Sequence, residues 1–203
     1  GKAIGKLSED EARKIRYQFF QDVANQLKAS GVFLAHHEND LAETVLMRLI
    51  RGAGLLGLRG MLDVHAISGL LLIRPLLSVS RKEIEFYLKG HRLSFCTDET
   101  NLKTMYLRNK VRLQLLPLLI KDYNPDVTRA FLDLARTSQE DYDYLILQAK
   151  EAYKKLVIVG KNNIKIKVSL FLKQHLSIRR LVLRMAYEYL AQGSNQLAFT
   201  HIQ

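Results

Sequence analysis

The sequence predicts an α/β fold over its first half and a mainly helical domain after it. Three observations carry that expectation. Short apolar runs alternate with helical patterns through residues 1–95, the signature of α/β layers around a parallel sheet. From Tyr106 onward apolar residues recur mostly at helical spacing. The 203 residues, 48% of them hydrophobic, suffice for one large domain or two small ones.

The elements follow in order. Ser8 is placed to cap a first helix, with Glu11 completing a capping box, and the helix should reach Ala29 and stop near Gly31. GVFLA then reads as a short strand. A second helix should start near Asp40 and end at Gly52. The next stretch, RGAGLLGLRG, holds a literal G-x-G-x-x-G at Gly52, Gly54 and Gly57. It follows a helix rather than a strand, so it reads as a helix end and a flexible link, not a dinucleotide loop. HAISGLLLIRPLL gives one or two strands closed by Pro75, and Ser80 caps a helix through Lys89. FCTDETNLKT is loop-like, with Asp98 and Asn101 shaping a turn.

In the second half, YLRNKVRLQLLPLLI is helical, with Pro117 kinking or ending the helix. Asn124 and Pro125 supply an N-cap and a first-turn proline for a long helix carrying Val127, Phe131, Leu134 and Leu145. Ile164, Ile166 and Val168 alternate with Lys165 and Lys167, as in a strand or hairpin arm with a wet basic face. Ser177 should cap a last helix that turns Ile178, Leu181, Val182 and Met185 inward and Arg179, Arg180 and Arg184 to other faces.

Charge narrows the function classes. The formal net charge is +11, and residues 151–203 hold nine Lys/Arg against two acids. That bias suits a polyanion such as nucleic acid, or simply a solvated basic face. A single cysteine, Cys96, excludes a disulfide framework and a cysteine-based zinc site, and fits a reducing cytoplasm. No run reaches the roughly 18 apolar residues of a membrane helix, and GKAIGKLSEDEARK lacks a signal core.

The densest chemistry is in AHHENDLAET, Ala35–Thr44. His36 and His37 end a strand, where α/β proteins place ligands, and a helix start offers N–H groups to a phosphate. Asp40 and Glu43 could share a magnesium ion with a nucleotide, Mg²⁺ preferring oxygen ligands. Equally, Asp40 could be the N-cap and Glu43 its N3 capping partner, with the histidines as plain loop residues. Arg108 and Arg112, four apart, share a helix face and suit bidentate phosphate binding, or they are simply solvated.

Taken together, EARKIRYQFF, LAHHENDLAETVLMRLIRGAGLLGLRGM, IRPLLSVSRKEIEFYL and TDETNLKTMYLRNKVRLQLLPLL resemble the tRNA(Ile)-lysidine synthetases. The likeness is strong over residues 9–120 and weaker to His201-Ile202. It implies a Rossmann-like PP-loop ATPase domain, incomplete at its N-terminus, over residues 1–121, and a helical tRNA-binding or connecting domain over 122–203. It implies a ligase that adenylates C2 of the wobble cytidine, C34, of tRNA(Ile) with a CAU anticodon, after which an amine of free L-lysine displaces AMP. ATP and Mg²⁺ are the implied cofactors and the cytoplasm the implied compartment. Oligomeric state stays open, a homodimer included.

By motif position the resemblance assigns catalytic roles to Asp40, Glu43 and Arg108, with Asp40 also facing magnesium. It assigns ATP or adenylate contacts to Arg16, His36 and His37. Arg112, Lys165, Lys167, Arg179, Arg180 and Arg184 are the expected tRNA contacts. Three departures qualify it. The family's SGGxDS loop has no counterpart, so the chain reads as a fragment expected to be inactive alone. Asn39 stands where the first of two aspartates is commonest. A C-terminal acceptor-stem domain is missing. The alternatives are a tRNA-thiolating PP-loop enzyme, weakened by the lone Cys96, and a non-catalytic tRNA-binding module.

Overall fold

The computed structural model describes residues 9–67, 69–96, 106–160 and 163–191. The expected Ser8 cap and the turn at Asp98 and Asn101 lie outside these residues, as does the His201-Ile202 end of the likeness. The chain divides into two compact units. One comprises Gly1–Ala53 with Gly57–Ala135, the other Gly54–Leu56 with Arg136–Gln203.

The first unit opens with α1 (Glu9–Leu27), β1 (Gly31–Phe33) and α2 (Glu38–Ile50). One turn, α3 (Leu55–Leu58), precedes β2 (Val64–Ile67), β3 (Leu70–Ile73) and α4 (Arg81–Gly90). The three strands lie in the order β1-β3-β2. β1 runs parallel to β3, with Val32 opposite Leu72, and β2 runs antiparallel to it, with Ile67 opposite Leu70.

The sheet is therefore mixed, which corrects the expected parallel one. Only positions 68 and 69 separate the paired residues Ile67 and Leu70, and a link that short permits a hairpin but no crossover. Gly69 takes φ +83° there, a backbone region that favours glycine. β3 buries Leu70 and Leu72 on one face, against Ala24, Tyr17 and Phe20 of α1 and against Val32, Leu34 and Ile67. Its period-two burial follows from the pleat.

The Gly-rich stretch is not a flexible link. Gly52, at φ +75°, follows the last turn of α2. The Arg48 guanidinium then donates to the carbonyls of Gly57 (2.7 Å) and Gly60 (2.6 Å), pinning the segment back onto α2. Gly60, at φ +62°, packs so closely on Leu41 and Val45 that a Cβ would collide with Leu41. Ser80 caps α4 as the sequence predicts, accepting from the Glu83 N–H at 3.2 Å, while the Glu83 carboxylate accepts from the Ser80 N–H at 2.7 Å.

The helix from Tyr106 does not end at Pro117. It runs as α5 (Leu107–Lys110), a π-helical turn (Val111–Leu115) and α6 (Leu116–Asp122). In a regular α-helix the Pro117 ring would strike the Leu113 carbonyl. The wider π turn spans that carbonyl, and the Leu116 N–H reaches back to Val111 O instead. Asn124 does not take the expected N-cap position: α7 (Val127–Leu156) begins three residues later, and the Asn124 side-chain oxygen accepts from the Asp126 N–H at 2.9 Å in the turn before it. Val127 and Phe131 pack on Leu46, Met47, Val111 and Leu116.

In the second unit α7 continues to Leu156. The hairpin β4 (Val157–Val159) and β5 (Ile164–Ile166), then α8 (Val168–Leu172) and α9 (Leu176–Leu190), follow it. Ala152, Leu156 and Val182 form the core, with Phe171 and Ile178 against it. The α9 cap is His175 rather than Ser177: the His175 ring accepts from the Ser177 N–H at 3.3 Å. No helix among the described residues is long and apolar enough to cross a membrane.

Candidate active site

α2 and the helix at Tyr106 face each other within the first unit, and each presents two charged side chains one turn apart. On α2 these are Asp40 and Glu43, spaced i,i+3. On the partner they are Arg108 and Arg112, spaced i,i+4. Such spacings place side chains on one helix face. Helix α2 begins earlier than the sequence predicts, at Glu38 with His37 as N-cap. That makes Asp40 the N3 residue, its carboxylate accepting from the His37 N–H at 3.2 Å. The alternative of Asp40 as N-cap with Glu43 at N3 is thereby corrected. On the apolar face, Val45 and Leu46 are buried as expected, while Leu49 is exposed.

Glu43 is only 2% exposed and Asp40 9%. Arg108 donates from Nε to Glu43 Oε2 at 3.0 Å and from Nη2 to Asp40 Oδ1 at 3.0 Å. Arg112 donates from Nε to Glu43 Oε1 at 2.6 Å, and from Nη2 to Asp40 Oδ1 at 2.8 Å and Glu43 Oε2 at 2.9 Å. The result is a neutral quartet of two carboxylates and two guanidiniums, with charge-assisted bonds in fork geometry. Burial pushes the Asp40 carboxyl up, but Arg108, His37 and Arg112 together hold it below its ordinary value. Hydrogen bonding to Glu43 keeps Arg112 more firmly charged than usual.

Above the quartet lies a cavity of about 620 Å³, within the size range of small-molecule sites. Asp40, Arg108 and Arg112 contribute to it, with His36, Arg74 and, from α1, Arg13, Arg16 and Tyr17. His36 lies just beyond β1 and Arg74 directly follows β3, so the cavity sits off the carboxyl ends of two adjacent parallel strands. Burial lowers the His36 pKa, opposed by Asp40 and aided by Arg74, Arg108 and Arg13, so the ring is neutral at pH 7.

The structure thus brings together Arg16, His36, Asp40, Glu43, Arg108 and Arg112 from the expected set. Arg112 was expected to meet tRNA, whereas among the described residues its hydrogen bonds go to the two carboxylates. His37 serves α2 as N-cap, its ring nitrogen 3.5 Å from Asp40 Oδ2. Lys165 and Lys167 are exposed in the second unit, and Arg179, Arg180 and Arg184 there are half-buried. Sequence reasoning missed Arg13, Arg48, Arg74 and Tyr17. The position of Arg74 at a strand's carboxyl end was the signal that could have found it.

The donor set does not fit a magnesium ion on Asp40. Oδ1 already accepts from two arginines and Oδ2 from the His37 backbone N–H, so hydrogen-bond donors fill the positions a metal would take. Among the described residues no group of three or more His, Cys, Asp or Glu is arranged to hold a metal.

A family profile described as a PP-loop domain matches residues 2–119. The chain belongs to the PP-loop family. It is 35% identical over 200 residues to the tRNA(Ile)-lysidine synthase of Clostridioides difficile (strain 630), covering 98% of this chain and 43% of that protein. To the synthase of Geobacter sulfurreducens it is 37% identical over 195 residues, covering 96% and 41%. To the bifunctional protein TilS/HprT of Listeria monocytogenes serotype 4b it is 34% identical over 188 residues, covering 93% and 29%. The chain spans about two fifths of the length of the first of these curated relatives. The PP-loop domain is an α/β fold, here realised with many helices and small sheets.

Proposed function

We propose that this chain is part of an ATP-dependent tRNA-modifying enzyme that joins lysine to C2 of the wobble cytidine of tRNA(Ile) with a CAU anticodon. The observation that carries the proposal is the buried quartet of Asp40, Glu43, Arg108 and Arg112 beneath an arginine-lined cavity. The likeness to synthases named for this reaction supports it.

In this reading ATP transfers AMP to the C2 oxygen of the cytidine and pyrophosphate leaves. The lysine amine then attacks C2, and AMP departs with that oxygen. Arg16, Arg108 and Arg112 stabilise negative charge on the phosphate and the leaving AMP, as preorganised cations do in a dry site. Asp40, which lines the cavity, sets its negative charge beside the lysine ammonium, while Glu43, buried beneath, holds Arg108 and Arg112 in place. Asp40, held below the ordinary carboxylate range, is a charge partner rather than a base. Neutral His36 is the cavity group able to take a proton from the amine near pH 7. No step is assigned to magnesium. Residues 122–203 would meet the tRNA, with Lys165 and Lys167 the most accessible of the expected contacts.

The test is transfer of radiolabelled lysine to CAU-anticodon tRNA by the whole protein. Incorporation should require ATP and should drop at least a hundredfold in Asp40→Asn. Sulfur transfer instead of lysine transfer would point to a thiolating enzyme, and tRNA binding indifferent to ATP with no transfer would point to a binding module. Either result overturns the proposal.

A further inference from the structure

The cavity wall holds a cation unlike those of the quartet. Arg74 follows β3 directly and is only 4% exposed. Its Nη1 donates to the Leu62 carbonyl at 2.7 Å, and the Tyr17 hydroxyl interacts with the guanidinium. Its Nε is buried and has no hydrogen-bond partner. Arg108 and Arg112 each bond to two carboxylates, whereas Arg74 forms no ion pair among the described residues. Asp63 is close enough to be felt but leaves the Nε unbonded.

A buried guanidinium without a bonded anion is a costly arrangement. Its neighbours raise the cost. Arg13, stacked 5.1 Å above the Tyr17 ring, repels Arg74, and Arg16 lines the same cavity. With Arg48, which bonds only to carbonyls, four arginines thus face one space with no carboxylate bonded to any of them among the described residues, while the quartet is already neutral. An unbonded donor of this kind is stabilised by a ligand that brings the oxygen.

We infer that Arg74 is a phosphate-binding residue, whose guanidinium, with Arg13 beside it, receives an oxyanion of a phosphorylated ligand in the cavity. The inference rests on reading this cavity as the reaction site, and adds the residue that would grip phosphate there. Phosphate fits better than the carboxylate of an amino acid. A terminal phosphate carries up to two charges and three acceptor oxygens, against one charge and two oxygens, and four arginines stand without a bonded carboxylate. The location agrees, beyond the ends of adjacent parallel strands. A nucleotide's terminal phosphate has this chemistry in full, whereas a tRNA backbone supplies it as successive diesters of one charge and two free oxygens each.

The experiment observes the arginine Nε–Hε resonances of the ¹⁵N-labelled protein. The Arg74 peak is assigned by its loss in Arg74→Lys and by its displacement in Tyr17→Phe, which leaves the Leu62 bond in place. Sodium pyrophosphate is titrated in one arm and an anticodon stem-loop RNA in another. A saturable shift of the Arg74 peak is expected in at least one arm, and that arm names the source. Arg74→Lys should weaken the same ligand at least tenfold. A peak unmoved in both arms overturns the inference, as does a shift caused by free lysine alone. So does a folded Arg74→Lys that binds as tightly as the parent. Lysine transfer with an unmoved peak would leave the proposed reaction standing and remove the phosphate site. A moving peak without lysine transfer would do the reverse.

Discussion

Removing the charge of Glu43 leaves two half-buried guanidiniums short of an anionic partner. Breaking a buried pair from one side costs about 3–5 kcal/mol, so Glu43→Gln should lower the urea midpoint steeply. Adding Arg112→Met should recover part of that loss, because the unpaired cation goes with its partner. Equal destabilisation in the single and double variants would show that the quartet is not coupled. The pH dependence has a definite sign. Unfolded His36 takes up a proton near its ordinary value of 6.5, and folded His36 resists doing so. The unfolded state therefore binds more protons, and stability falls as pH drops from 6.5 toward the lowered folded value. Asp40 adds to the loss at lower pH, where its depressed carboxyl finally protonates. Urea midpoints at pH 7.5 and 5.5 should differ in that direction, and His36→Gln should flatten the upper part of the trend. These charged residues were legible because one-turn spacings put ionisable groups on one face. Their partnership was not, since nothing local says that Arg112 meets Glu43 rather than solvent or RNA.

At the scale of elements, helix ends were easier to read than links. Ser80 caps where local chemistry says it should, because a cap is decided within four residues. The β2–β3 hairpin was half visible: its short Ser-Gly link lay in plain view, yet the helix–strand alternation around it pointed to parallel pairing. The Gly52–Gly60 segment misled for a different reason. Glycines signal freedom, but here a side chain nine and twelve residues away removes it. Arg48→Met should therefore release the segment. Hydrogen exchange at the amides of Gly57 to Gly60 should speed up at least tenfold, since bonds to a charged donor are worth about 1.5–3 kcal/mol each. Unchanged exchange would mean that packing of Gly60 on Leu41 holds the segment unaided. The π turn was beyond sequence reading, although Pro117 marked where the helix had to adjust.

For the molecule as a whole, the net charge of +11 makes a statement about salt. If residues 122–203 meet tRNA, affinity should fall steeply with ionic strength, and the slope should shrink by roughly one for each phosphate-contacting cation removed. Lys165→Glu with Lys167→Glu, both exposed, tests this more cleanly than changes at half-buried Arg179 or Arg180. A slope unchanged in that variant would move the RNA surface elsewhere. The quartet has a consequence at this scale too. Its bonds join residues 65 to 72 positions apart, so it exists only when the intervening chain has closed up. Occupancy of the cavity is therefore thermodynamically linked to folding of the unit that holds it. A ligand at a hundred times its dissociation constant should add about 2.7 kcal/mol to that unit's stability. Melting temperature then becomes an assay for what the cavity accepts, before any reaction has been measured.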